Sequence, residues 1–371
     1  MVITVKKLSL VMADTDVSYV ELVSGFVRAS DDGMRFDLKS FSTKERLNEY
    51  LQSNSRLDIL LVSPELLPDD LSAYEIGLTI LLEDERLSQR VDEIPYIFKY
   101  QPLNQLRSRL LSLYYERFGK EMTFFGGEKR TSIVTVYAAT GGAGKSTLAL
   151  NMCKQWALQG KNVFYLNLEL FNSTPLWFET EARKSSPQIL YYVKMAEREQ
   201  IVSKIETLKR HDPYIKIDYF DFSMSAEEMA DLSEDEVELL ISGLIETENY
   251  DFVVVDVDSS ADGRVRAALR CADRVVWVLD NNVFSFAKTA YLLQKEDGLS
   301  RNEIDSEKIV FALNRYTGTI ASELLKFRFK IDGYLPFVPE WQSIGEARRL
   351  LASPTFTKKV MAFMAKDTAA E

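Results

Sequence analysis

The sequence predicts an α/β protein of two domains, each built on a mostly parallel sheet. Three observations carry this. Short apolar runs of the fully buried kind alternate with helical patterns along most of the chain. The alternation breaks once, at a glycine-marked stretch over residues 119–131, and then begins again. A length of 371 residues also fits two domains at roughly 150 residues each.

In the first half, residues 8–13 (LSLVMA) form an apolar run ending at Asp14, Thr15 and Asp16. A helical face of Val17, Val20, Leu22, Val23, Phe26 and Val27 follows. Residues 35–39 read as a strand. Ser42 and Glu45 stand at capping-box spacing ahead of a helix carrying Leu47 and Leu51. The run Asp58–Ser63 is a buried-strand pattern, residues 78–82 and 95–98 read as the last strands, and Gln105–Tyr115 as a closing helix. These elements define a domain over 1–118, a linker over 119–131 and a second domain over 132–371.

The second half opens with a strand at Ile133–Tyr137, a glycine-rich turn and a helix reaching Gly160. Val163–Leu168 is the next strand, residues 172–210 a more polar insertion, and Tyr214–Phe220 an alternating strand. Ser233 and Glu236 supply a capping box, and Leu232 and Val237 a hydrophobic staple, for a helix over 234–247. Phe252–Val255, Val275–Leu279 and Ile309–Leu313 are apolar strands buried on both faces.

Composition narrows the classes of function. With 46% apolar and 27% charged residues, the chain is globular rather than disordered. No apolar run approaches the ~18 residues of a membrane span. Cys153 and Cys271 are too few for a disulfide framework, so the expected setting is cytoplasmic. A net charge of −11 argues against coating nucleic acid, which needs a basic surface. The only histidine, His211, lies in a turn-like Arg-His-Asp-Pro and reads as a surface loop residue. One histidine argues against His-triad metal sites and Ser-His-Asp hydrolysis.

The chemistry concentrates in Ala139-Thr140-Gly141-Gly142-Ala143-Gly144-Lys145-Ser146-Thr147, between a strand and a helix. Glycines let backbone N–H groups converge on phosphate oxygens at the positive end of the helix. Lys145 would neutralise the β- and γ-phosphates and Ser146 would offer its hydroxyl to Mg²⁺. The strict motif has glycine where this chain has Ala139. Asp256, ending the apolar strand 252–255, is aimed at the same strand ends and completes the expected Mg²⁺ seat with Ser146. A nucleotide and Mg²⁺ are the expected cofactors, the nucleotide being ATP by the resemblance that follows.

These residues, with Asn314-Arg315 after a later strand, resemble the MinD/ParA branch of P-loop ATPases over most of 132–360. The resemblance implies an ATP-sandwich homodimer, with Asn314 and Arg315 at the base and the loop Pro336-Phe337-Val338-Pro339 lining it. The family's signature lysine before the Gly-Gly pair is Thr140 here, and its Asp-x-Asp is Asn167-Leu168-Glu169. Glu169 is the remaining candidate for positioning water. Asp256-Val257-Asp258-Ser259-Ser260 replaces the usual Asp-x-Pro. Loss of one preorganised charge commonly costs ~10²–10³ in rate, so slow or absent hydrolysis is expected.

The order of elements over 1–118 resembles a flavodoxin-like, response-regulator receiver domain. Asp14, Asp16 and Lys99 fall near its acidic cluster and lysine, but Ser63 stands where its phosphoacceptor aspartate would. A receiver-like domain ahead of a MinD/ParA-type ATPase resembles the TadZ/CpaE family of pilus assembly proteins. That resemblance implies partners in a tight-adherence (Tad) type IV pilus secretion machine and placement at a cell pole or peripheral to the inner membrane. The alternative is a cycling MinD/ParA-type ATPase that positions division, chromosome or plasmid machinery. A tyrosine autokinase shares this type of fold, but residues 351–371 hold no tyrosine. Near the C-terminus, Phe356, Val360, Phe363 and Met364 share one face. They are expected to pack on the core, with any membrane contact peripheral.

Overall fold

The computed structural model describes residues 8–29, 36–53, 56–84, 94–101, 103–118, 131–178, 188–195, 198–222, 226–294 and 305–367. They belong to two compact units: residues 1–128 with 202–207, and residues 129–201 with 208–371. The expected linker at 119–131 lies, apart from Thr131, outside the described residues.

The first unit runs β1 (Leu8–Ala13), α1 (Val17–Ala29), β2 (Phe36–Phe41), α2 (Lys44–Ser53), β3 (Leu57–Val62), β4 (Ile76–Glu83), β5 (Tyr96–Phe98) and α3 (Leu103–Phe118). Its sheet is parallel in the order β2-β1-β3-β4-β5, the doubly wound order called flavodoxin-like. Central β3 is apolar on both faces because neighbours cover it on both sides, whereas edge strand β2 alternates. Thr43, rather than Ser42, directly precedes α2, and its carbonyl accepts from the Leu47 amide. Between β3 and β4 the chain makes only short 3₁₀ turns at Pro64–Leu66 and Leu71–Ala73.

The second unit begins with β6 (Ser132–Tyr137), α4 (Lys145–Leu158) and β7 (Val163–Asn167). The polar insertion follows as α5 (Thr174–Trp177), α6 (Gln188–Lys194) and α7 (Arg198–Leu208). Residues 202–207 of α7 cluster with the first unit. There the buried Ser203 hydroxyl shares a hydrogen bond with Ser112 (3.0 Å) and donates to Glu116 (2.7 Å). Next come β8 (Arg210–Asp212), β9 (Ile217–Tyr219), α8 (Ala226–Ala230), α9 (Glu234–Glu246) and β10 (Phe252–Asp256). The chain ends with α10 (Gly263–Cys271), β11 (Arg274–Asp280), α11 (Val283–Gln294), β12 (Ile309–Tyr316), α12 (Ser322–Leu325), β13 (Ile331–Pro336) and α13 (Pro354–Asp367).

Among the described residues, eight strands order as β13-β12-β11-β6-β10-β7-β9-β8, with only β8 antiparallel to its neighbour. The strand expected over 214–220 is therefore shorter, and it pairs with a second, unexpected strand. His211 is no loop residue: it sits in edge strand β8, with Nδ1 2.7 Å from the Asp218 carboxylate. The charged sequence Arg210-His211-Asp212 suits an edge, where further pairing must be discouraged. The capping box of α9 forms as its spacing predicts: the Glu236 amide donates to Ser233 Oγ, and the Ser233 amide donates to Glu236 Oε2 (2.8 Å).

The core of this unit lies between the sheet, α4 and α13. Val134, Val136, Val254 and Val276 pack with Leu148, Met152 and Trp156, and with Phe356, Val360, Phe363 and Met364 of α13. All four apolar residues of the α13 stripe are buried, so that stripe faces protein. No helix among the described residues is long and apolar enough to cross a membrane.

Candidate functional site

Parallel strands collect their carboxyl ends on one side, so residues just beyond them converge. β6 lies between β10 and β11, and the loop after it enters α4 through two left-handed glycines, Gly142 (φ +70°) and Gly144 (φ +95°). Those backbone angles are strained for residues with a Cβ. At Gly144 a Cβ would also overlap the Asn314 amide. Gly141 and Gly142 are exposed, Ala143 is buried, and Thr140, Ser146 and Thr147 are half-buried. Lys145 is buried at the start of α4 and donates to Ser259 Oγ at 3.0 Å.

Register brings the carboxylates to the same place. Asp256, the last residue of β10, pairs with Val136 on one side and Asn167 on the other. It is fully buried. Tyr165 donates its hydroxyl to Asp256 Oδ2 at 2.7 Å, while Oδ1 makes no hydrogen bond among the described residues. Burial pushes this carboxyl up to about 7, and the Glu169 charge adds to the shift. The Ser146 and Tyr165 hydroxyls and the Lys145 charge act against it. The Ser146 hydroxyl lies 3.4 Å from Glu169 Oε1.

A buried carboxylate oxygen without a partner, beside a serine hydroxyl and a lysine at a helix N-terminus, fits a divalent cation carried by a polyphosphate. Mg²⁺ takes one or two carboxylates and completes its shell with water and phosphate oxygens. No cluster of three or more histidine, cysteine or carboxylate ligands occurs among the described residues.

Asn167 and Glu169 are held firmly. The Asn167 amide nitrogen faces Glu169, Asn172 and Thr174 oxygens, all at 3.3 Å, and its Oδ1 accepts from the Glu169 amide at 2.8 Å. Ser173 donates to Glu169 Oε2 at 2.6 Å. Asn167 is thus a hub for its own loop and cannot accept a proton as an aspartate would.

On the other flank, Asn314 lies two residues before the end of β12 and donates to the Ala143 carbonyl at 2.8 Å. Arg315, with φ +53°, donates to the Gly142 carbonyl (2.6 Å) and to Asp280 Oδ2 (2.7 Å). Both residues brace the glycine-rich loop. In the following loop, the Phe337 amide donates to the Tyr316 carbonyl, Val338 packs on the core, and Phe337 and Pro339 are exposed beside half-buried Pro336.

Sequence reasoning missed Tyr165 and Arg264, and noted Asp258 and Ser259 as a departure from Asp-x-Pro without giving them a role. The signal for Tyr165 was available, because it stands two residues before Asn167 and so shares its face of β7. Arg264 is 2% exposed and donates to the Leu168 carbonyl, to Asp258 Oδ2 (2.7 Å) and to Asp262 Oδ2 (3.0 Å). Partial burial works to raise the Asp258 carboxyl, but Ser260 and Arg264 outweigh it and hold it down at about 2.

The first unit has its own cluster at the carboxyl ends of its strands. Lys99 Nζ lies 3.0 Å from Asp14, 3.7 Å from Asp84 and 3.9 Å from Asp16. It also sits 4.9 Å from the Tyr19 ring centre. Burial works to lower the Lys99 ammonium, but Asp14 and Asp84 hold it above its ordinary value. Ser63 follows β3, buried, with no partner for its hydroxyl.

The second unit has a fold similar to that of a ParA family ATPase. Residues 131–305 match the family described as an AAA domain, a little under half of the chain. Among solved structures, a ParA family ATPase from Chlorobium tepidum aligns at 20% identity over 64% of this chain and 99% of its own, with a TM-score of 0.52. The MinC:MinD cell division complex from Aquifex aeolicus aligns at 16% identity over 65% and 96%, with a TM-score of 0.49. MinD from Pyrococcus horikoshii, complexed with Mg-ADP, aligns at 14% identity over 64% and 95%, with a TM-score of 0.44. Comparison with curated proteins gives no match.

Proposed function

We propose that this chain binds Mg-ATP, dimerises around it, and serves as an assembly factor for a Tad-type pilus secretion machine rather than as a fast ATPase. The observation that carries nucleotide binding is the unpartnered, buried Oδ1 of Asp256 next to Ser146 and Lys145. Ser146 and Asp256 would hold Mg²⁺, and Lys145 would exchange its Ser259 partner for phosphate oxygens. Bound Mg²⁺ would neutralise charge on the β- and γ-phosphates. The N–H groups of residues 141–147 would cradle the same phosphates. Asn314 keeps its amide oxygen for the base edge while its nitrogen braces Ala143.

The slow-hydrolysis half of the proposal rests on Asn167 and Thr140, which supply no charge where the family resemblance expects one. The flavodoxin-like first unit, with Lys99 already seated among its carboxylates and Ser63 in the receiver's acceptor position, would act as a docking module. Pole placement and pilus partners follow from the TadZ/CpaE resemblance alone. The second reading, a cycling positioning ATPase, is favoured by one feature, the Glu169 carboxylate 3.4 Å from Ser146.

The test pairs binding of a fluorescent ATP analogue with phosphate release, using Lys145→Ala as the blank. The variant should bind at least about 100-fold more weakly, because a buried charge partner is removed. Light scattering should give a dimer for wild type with Mg-ATP and a monomer for the variant. Phosphate release at the blank level supports the assembly reading. Turnover in the ordinary enzyme range, about 1 s⁻¹ or more, overturns it in favour of the cycling ATPase.

A further inference from the structure

Glu169 lies just past the end of the β7–β10 ladder, whose last pair is Asn167 with Asp256. One ladder-like bond continues beyond it, from the Leu168 amide to the Asp256 carbonyl at 2.8 Å. Everything else that fixes the backbone around Glu169 comes from side chains. The Leu168 carbonyl accepts from Arg264, and the Leu170 amide donates to Asp258 Oδ2 at 3.1 Å. Arg264 and Asp258 are in turn bonded to each other at 2.7 Å. One ion pair thus holds the peptide groups on both sides of Glu169, while Asn167 holds the amide of Glu169 itself.

The pair suits this task. Arg264 presents a rigid planar fork that reaches a carbonyl and two carboxylates at once. Its side chain is 1% exposed. Enclosing a guanidinium so completely is costly unless its donors are matched; Nη1 and Nη2 are matched here, and buried Nε makes no hydrogen bond among the described residues. Asp258 stands where the resembling family has proline, a residue that could neither accept from Leu170 nor pair with an arginine.

We propose that the Arg264–Asp258 pair is a positioning device that holds the Glu169 carboxylate against the cation seat formed by Ser146 and Asp256. It rests on the reading of those two residues as a Mg²⁺ seat. The two side chains touch no ligand themselves: they set the depth at which Glu169 sits, and through it the cation requirement of nucleotide binding.

Two measurements on the full chain test this. The first is hydrogen exchange in metal-free protein, followed by mass spectrometry. Arg264→Met should speed exchange across 168–173 by about tenfold, with β6 and α4 unchanged, and Arg264→Lys should restore part of the protection. The second is the Mg²⁺ concentration that half-saturates binding of a fluorescent ATP analogue. Both Arg264→Met and the milder Asp258→Asn should raise it by about tenfold, the usual effect of losing an outer-sphere partner. Combining Arg264→Met with Glu169→Gln should be no worse than Glu169→Gln alone. Unchanged exchange in Arg264→Met, or effects that add to Glu169→Gln, overturns the proposal. Wild-type protein that binds no nucleotide overturns the cation seat instead, and the exchange measurement then still decides whether the pair holds this loop.

Discussion

At the carboxyl end of the first unit's sheet, buried Asp14 faces a lysine ammonium at 3.0 Å, with two further aspartates within 4 Å. At the carboxyl end of the second unit's sheet, buried Asp256 accepts from a tyrosine hydroxyl on one oxygen, and its other oxygen makes no hydrogen bond among the described residues. Lys145 is nearby, but it is engaged by Ser259. The same doubly wound logic produces both clusters. The first carries its own cation within the chain, so its buried carboxylate is paired as folded. The second is left short of positive charge, and its carboxyl is driven up to about 7. A buried carboxylate that is already paired is suited to a fixed surface, whereas one left without a cation is suited to binding one.

The sharpest way to break this contrast is to remove the built-in cation. Lys99→Met should destabilise the first unit by about 3–5 kcal/mol, since it leaves the Asp14 charge buried and unpaired. Adding Asp14→Asn should recover much of that loss. Chemical denaturation of the single and double variants measures both, and a small loss in the single variant would show that the lysine does not balance the cluster.

The opposite sign is expected in the second unit. Asp256 has a folded value of about 7 against 3.8 as the reference, so the folded state binds the extra proton between those limits. The stability associated with that proton is complete below about pH 4 and lost as pH rises through 7, amounting to about 4 kcal/mol. Metal-free protein should therefore weaken from pH 5 to 8. Asp256→Asn should flatten that slope and be about 3 kcal/mol more stable than wild type at pH 8. Mg-ATP should flatten the wild-type slope too. Urea midpoints across that range decide the matter.

A smaller effect comes from Tyr165→Phe, which leaves the second Asp256 oxygen unpartnered as well. It should cost about 1–2 kcal/mol at pH 8, and little at pH 5, where the carboxyl holds its proton. A cost that is equal at both values would place the hydroxyl's role in packing instead.

Much of this was legible from sequence, for reasons that differ by element. β3, β10, β11 and β12 announce themselves because strands covered on both faces must be apolar throughout. The glycine-rich loop is legible because its backbone angles exclude most side chains. Asp256 follows from its place at a strand end. The rest depends on which strands become neighbours. Nothing local says that β7 and β10 pair so that Tyr165 meets Asp256, or that Arg264 returns to the Leu168 carbonyl 96 residues earlier. His211 was misread because a three-residue edge strand has too few positions to display a period. The return of residues 202–207 to the first unit is likewise a tertiary event, visible only once Ser112 and Ser203 are seen in contact.

The close approach of Gly144 to Asn314 has a consequence for redesign. A larger group at 144 would displace the Asn314 amide, and a larger group at 314 would press on the turn that carries Lys145. On the proposed reading, in which residue 314 meets the base and the glycine-rich loop meets phosphate, reshaping residue 314 would therefore also distort the grip on phosphate. Selectivity at one end of the ligand and affinity at the other would then share a single packing contact, and useful variants should arise as paired changes at 144 and 314.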